Sequence, residues 1–193
     1  MSLNANALIT LNDLKESLSI TDSTQDSLLE GIINRSSQVI ETYVGHPIKS
    51  ATYTQEKYDG AAKIVLDKWP VTAITSVQYQ TGDIGNPDWD DVDSTSYALE
   101  RDGDRGILLL QSPIAGEDAY RVTYTAGYTD VPEDIKQACL ELCEYTFNMK
   151  ASGGKKSETL GEYSVTYQSY TKGDLLGQLG VDLILDFYRT PTI

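Results

Sequence analysis

Apolar residues recur along this chain with two different periods, and the change of period marks its organisation. Over residues 10–18, Leu11, Leu14 and Leu18 repeat at helical spacing behind Thr10, whose hydroxyl can cap a helix, and Asp13 sits in the electropositive first turn. A short break follows, in which Thr21, Asp22 and Ser23 each offer a cap to a second helix. That helix, over 24–44, places Leu28, Leu29, Ile32, Ile33, Val39, Ile40, Tyr43 and Val44 within one arc of the helical wheel. Ser36 lies in the middle of the arc, where a small side chain lets another helix approach, so a helix crossing is expected there. Gly31 is expected on the opposite, polar face, either as a plain surface position or as a point of close contact with a neighbouring chain. Gly45 is expected to close the helix as a left-handed cap.

Between residues 48 and 128 the period shortens to that of strands. The spacing and the richness in Tyr, Val, Ile and Thr predict strands over 52–58, 63–67, 73–79, 97–99, 107–110 and 120–125. Turn pairs such as Asp59-Gly60, Asp102-Gly103 and Ala126-Gly127 separate them. The longest irregular stretch is expected over 81–96, around Asp88, Trp89, Asp90, Asp91 and Asp93.

The helical period returns at Val131-Pro132-Glu133-Asp134, a start signal with proline and two acids in the first turn. Ile135, Ala138, Cys139, Leu142, Cys143, Thr146 and Met149 then form a stripe, which Leu140, Tyr145 and Phe147 widen. An arc this broad predicts burial on more than one side, part of it between subunits. Residues 151–157 read as a flexible joint and 162–170 as extended. The apolar end over 175–189 is interrupted by Gly177 and Gly180, and can fold back on its own domain or dock on a partner chain.

The fold class that follows is α+β, with a helical core of about four helices, an antiparallel β region inserted between the second and third long helical segments, and an extended C-terminal tail. The expected divisions are 1–47 for the N-terminal core helices, 48–128 for the β insertion, 129–150 for the last core helix, and 151–193 for joint and tail.

Composition changes this picture mainly through charge. A net charge of −14 disfavours binding to phosphate backbones, which needs clustered Lys and Arg. No apolar run reaches the roughly 18–20 residues that would cross a bilayer, and the first ten residues lack the features of a secretory signal, so a soluble, cytoplasmic protein is expected. The two cysteines, Cys139 and Cys143, are expected to be core residues, because successive turns of one helix suit neither a disulfide nor a complete metal site.

Catalytic chemistry finds little support. There is no Gly-rich phosphate loop, and the single histidine, His46, lies in a helix-exit turn, where an exposed or capping role is expected. Asp88, Asp90, Asp91 and Asp93 are the best cation candidates, yet they lack the glycine and the terminal glutamate of a calcium loop and read as a solvated loop. Glu141 and Glu144 could pose as a catalytic carboxylate pair, but they fall on a polar helix face. Trp69, Trp89 and several of the thirteen tyrosines would make a glycan- or peptide-binding face if exposed together. No catalytic, metal or cofactor residue is assigned, and no cofactor is expected.

The order of motifs carries a resemblance. Leu8-Ile9-Thr10-Leu11-x-x-Leu14-Lys15 leads through Leu18-x-Ile20-Thr21-Asp22 and Asp26-x-Leu28-Leu29 to a long helix ending Ile40-Glu41-x-Tyr43-Val44-Gly45. Trp69-Pro70-Val71-x-x-Ile74-x-Ser76-Val77 follows, and later Val122-x-Tyr124-Thr125-Ala126-Gly127-Tyr128 runs into Val131-Pro132-Glu133-Asp134-Ile135-Lys136-Gln137-Ala138. Over residues 8–150 this series resembles the head-to-tail connector (adaptor) proteins of long-tailed bacteriophages and their prophage and gene-transfer-agent relatives.

The resemblance implies a structural virion protein of the neck, assembled in the host cytoplasm. It would form a ring of about twelve copies beneath the portal and extend the DNA channel towards a stopper or tail-completion protein. DNA would pass without specific binding, and no membrane is involved. Carried onto this chain, Leu183, Ile184, Leu185, Phe187, Tyr188 and Arg189 become the candidate portal-docking tail. Gly31, Leu140, Tyr145 and Phe147 become candidate inter-subunit residues, and Asp88, Asp90, Asp91 and Asp93 a channel- or tail-facing acidic loop. Another neck component, such as a stopper or tail-completion protein, is the nearest alternative. A glycan- or peptide-binding module and an acidic hydrolase stand further off.

Overall fold

Thr10 and Asp13 start the first helix by a reciprocal exchange. The Thr10 hydroxyl accepts from the Asp13 amide at 3.1 Å, and the Asp13 carboxylate accepts from the Thr10 amide at 2.7 Å. This capping box opens α1 (Leu11–Ser17). The computed structural model describes residues 2–82, 87–103, 105–151, 157–160, 163–166 and 175–189. Its class is α+β, as the change of period predicts, and its chain divides into two units, Met1–His46 with Val131–Ile193, and Pro47–Asp130.

The first unit is built on two 19-residue helices, α2 (Asp26–Val44) and α3 (Glu133–Ala151). Leu29, Ile32, Ile33, Ile40 and Val44 of α2 are buried with Ile135, Ala138, Cys139, Leu142 and Cys143 of α3. The expected crossing is present, because Ser36 and Ser37 are both buried and the Ser37 hydroxyl lies 3.8 Å from the Cys139 sulfur. Both cysteines are free and buried. The Cys139 thiol is raised far above the ordinary thiol range, by its hydrogen bond with the Cys143 thiol and then by burial, which suits an unreactive core residue. Gly45 closes α2 in the left-handed conformation, with φ of 90°.

Three details of α2 differ from the sequence reading. Gln25, without a side-chain cap, precedes the helix, while Asp22 accepts from the Thr24 amide instead. Gly31 is buried rather than on an open polar face, and Val39 is 45% exposed rather than in the core. The N-terminal residues bond along this helix. The Asn4 amide donates to Asn34, one turn after Gly31, the Leu8 amide donates to Ser37, and Asn6 donates to Glu41. This strap covers a side of the helix that its own periodicity assigns to water, and buries Ala7, Leu8 and Ile9.

The same unit contains a hairpin, β8 (Ser157–Leu160) with β9 (Tyr163–Thr166), followed by α4 (Leu175–Leu179), α5 (Asp182–Leu185) and a 3-10 turn over Asp186–Tyr188. Most of the predicted joint over 151–157, and residues 162 and 167–170 of the predicted extended piece, lie outside the described residues.

The second unit holds two antiparallel sheets. One has the order β1 (Ala51–Tyr58), β7 (Tyr120–Ala126), β3 (Val71–Gln80), β4 (Trp89–Asp91). The other has β2 (Lys63–Val65), β6 (Arg105–Leu110), β5 (Tyr97–Asp102). Strand β7 is central and alternates strictly between buried and half-buried positions, which sends Tyr120, Val122, Tyr124 and Ala126 into the core with Leu66, Val71, Val77 and Leu108. Tyr58 and Tyr124 bring hydroxyls into that core 3.1 Å apart, and both donate to the Glu56 carboxylate, at 3.0 and 2.6 Å. The amides of Asp67 and Lys68 donate to these two hydroxyls, so the tyrosine oxygens are satisfied by a network that ties β1, β7 and the turn after β2. At Gly60 a methyl group would stand 2.0 Å from the Ile114 carbonyl oxygen, a close backbone approach that only glycine allows.

Candidate assembly interfaces

Among the described residues, the C-terminal segment is held on its own unit by Val181, Leu185 and several hydrogen bonds. Val181 and Leu185, spaced i and i+4, are fully buried, and α5 packs on α2 and α3. The Tyr43 hydroxyl donates to Asp186 at 2.7 Å, and that bond raises its pKa. The Tyr188 hydroxyl donates to the Asp134 carboxylate at 2.8 Å, and the Tyr188 carbonyl lies 3.1 Å from His46 Nε2. The Arg189 guanidinium lies 5.1 Å from the Tyr43 ring centroid. His46 is therefore buried under this segment, not exposed in a turn.

The candidate tail residues thus split by direction. Leu185 points inward, Ile184 and Tyr188 are half-buried, and Leu183 and Phe187 point outward with 69% and 87% of their surface exposed. The signal for this split was present in the spacing: Val181 and Leu185 make one i, i+4 pair and Leu183 and Phe187 another, on different faces.

The candidate inter-subunit residues of α3, Leu140, Tyr145 and Phe147, are all half-buried within the single chain. Leu140 lines a shallow groove of about 380 Å³ between α1 and α3, together with Ile9, Asp13, Glu16, Glu133 and Lys136. Gly31 is buried within the single chain. Glu141 and Glu144 do not converge: Gln137 donates to Glu141 at 3.0 Å, and the Ser17 hydroxyl bonds Glu144 from α1.

In the β unit the predicted irregular loop is partly a strand. Trp89–Asp91 pairs with β3 in the register Gln78↔Asp91, Tyr79↔Asp90, Gln80↔Trp89. Three of the four candidate carboxylates are engaged by different partners. Asp88 accepts from the Trp89 amide, Asp91 accepts from the Gln78 side chain at 2.9 Å, and Asp93 accepts from the Thr95 amide and hydroxyl. Those two bonds lower the Asp93 pKa, the backbone bond foremost. Asp90 is exposed on the other face of the strand. Among the described residues no group of three or more His, Cys, Asp or Glu side chains could hold a metal ion. The two tryptophans do not share an exposed face either. Trp69 is buried at 7% exposure, and one face of Trp89 is covered by the Arg121 guanidinium, 3.6 Å from the ring centroid.

Comparison with known proteins supplies the context for these surfaces. Compared by sequence with curated proteins, the chain matches none. Its fold is similar to a chain in the neck of an empty GTA particle computed with C6 symmetry, at TM-score 0.64 and 12% identity, covering 100% of this chain and 95% of that one. It is similar to a chain of the virion of a native gene transfer agent (GTA) particle, at TM-score 0.63 and 13% identity, covering 100% and 94%. It is also similar to a chain in the neck of a native GTA particle computed with C12 symmetry, at TM-score 0.57 and 15% identity, covering 100% and 97%. The model of one protein family, described as head completion protein, matches residues 7–190, nearly the whole sequence, and the chain belongs to that family.

Proposed function

We propose that this chain is a structural subunit of the neck of a tailed phage or phage-like particle, where it forms an adaptor ring beneath the portal and extends the DNA channel. The observation that carries the reading is membership of the head completion protein family over residues 7–190, joined to a fold shared along the whole chain with chains of GTA necks. A ring of about twelve copies accords with the twelve-fold symmetry with which one of those necks was computed. The net charge of −14 suits a channel wall past which DNA slides without sticking, because attractive contacts with phosphates would slow it.

The outward pair Leu183 and Phe187 is the docking face of the C-terminal segment. Isolated apolar side chains on a surface are ordinary, but this segment presents two of them on a short element pinned from beneath. The protein acts by shape and contact, with no chemical step.

The test is a particle-producing host lacking this chain, examined by electron microscopy. Filled heads without tails are expected, and complete particles would overturn the reading. A stopper or tail-completion role is separated by mixing the purified chain with portal rings alone. An adaptor binds the portal directly, whereas a stopper needs another neck protein first.

A further inference from the structure

Phe187 is the most exposed large apolar residue among those described, with 87% of its surface open, and Arg189 follows two positions later, also exposed. Elsewhere on the chain, in the β unit, the two sheets leave a depression of about 270 Å³ between the ends of β3, β4 and β6. Val92, Leu110, Ile114 and Tyr120 line it beside Ser96 and Ser112, and Leu110 and Tyr120 belong to the core of that unit. Asp91 and Asp93 stand on its rim. Each uses Oδ1 for a bond within the chain, to the Gln78 amide or to Thr95. The depression is wide enough for one phenyl ring and too small for a helix.

A ring needs a heterologous contact, in which two different places on the same molecule fit each other. An exposed apolar knob and an apolar pocket elsewhere on the chain are the simplest such pair; Asp186 beside the knob accepts from the Tyr43 hydroxyl, and Arg189 is the charge offered to the two carboxylates beside the pocket. We propose that Phe187 of one copy seats in this depression of the next copy, with Arg189 against Asp91 and Asp93. The inference rests on the ring reading and deepens it, by naming a sister subunit rather than the portal as the partner of this side chain. In the free chain Arg189 rests against Tyr43, so this contact requires it to turn away from that ring.

The experiment uses the full-length chain assembled with portal rings, carrying p-benzoylphenylalanine at position 187. Irradiation is expected to give covalent dimers of the chain, with the adduct on peptides containing Val92 or Ile114. Adducts on the portal, or on the helical unit of a sister copy, would overturn the proposal while leaving the ring intact. Failure of the unmodified chain to form any assembly, measured by mass in parallel, would overturn the ring reading and this contact with it. A charge exchange gives a second readout. Asp91→Lys with Asp93→Lys should raise the concentration needed for assembly about tenfold, and adding Arg189→Glu should restore it to within about threefold. No loss, or loss without restoration, would also overturn the contact.

Discussion

Replacing Tyr124 by phenylalanine takes one oxygen out of the interior of the β unit and keeps the ring that fills it. The hydroxyl donates to the Glu56 carboxylate at 2.6 Å, lies 3.1 Å from the Tyr58 hydroxyl, and accepts from the Lys68 amide at 3.2 Å. The bond to the carboxylate is charge-assisted and contributes about 1.5–3 kcal/mol. Loss of the acceptor for the part-buried Lys68 amide adds about 1 kcal/mol, and the hydroxyl that no longer has to be desolvated returns about as much. The net expectation is a loss of about 2 kcal/mol. Both tryptophans, Trp69 and Trp89, lie in this unit, so urea unfolding followed by tryptophan fluorescence reads the β unit, while far-ultraviolet circular dichroism weights the helices. With a denaturant slope of about 2 kcal/mol per molar, the fluorescence midpoint of Tyr124→Phe should fall by about 1 M urea. A midpoint within about 0.2 M of the parent would refute the claim that this network holds the sheets together.

The same buried hydroxyls set an alkaline limit. Burial raises the pKa of both Tyr58 and Tyr124 above the ordinary tyrosine value, so the unfolded chain releases these protons first as pH rises through about 10. Stability is full below that pH and should fall above it by about 1.4 kcal/mol per pH unit for each tyrosine, a slope that Tyr124→Phe should reduce; equal slopes would contradict the burial. Gly60→Ala forces a methyl group against the Ile114 carbonyl and should cost about 2 kcal/mol or more, read as a lowered fluorescence midpoint. Leu185→Ala, at a fully buried site, should cost about 2–4 kcal/mol in the helical melt, whereas Leu183→Ala should stay within about 0.5 kcal/mol of the parent and lose assembly instead.

How far the sequence predicts this molecule can be argued from single elements. The strands β1, β3, β6 and β7 were legible because their residues alternate or are β-branched and are bounded by turns bearing glycine or proline. Strand β4 was not, because Trp89-Asp90-Asp91 is short and charged and is a strand only by virtue of β3 beside it. The burial of Ser37 and Glu41 was hidden for a related reason: residues 2–9 bond to them along a flank of α2, which the helical wheel alone cannot show. His46 reads as a turn residue until Tyr188 arrives over it from 142 positions away. The apolar character of the C-terminal segment was plain from composition, but which of its side chains turn inward depends on the partner surface of α2 and α3. Family membership was legible from the order of the motifs, although each motif alone encodes no more than a cap, a turn or a core position.

The central claim, a ring-forming neck subunit, is tested most directly by the mass of the purified chain in solution, alone and with portal rings, measured by light scattering or native mass spectrometry. The account predicts a discrete assembly of about twelve copies, formed by the chain itself or ordered on the portal. A chain that remains monomeric in both conditions, and leaves the mass of the portal ring unchanged, would contradict it.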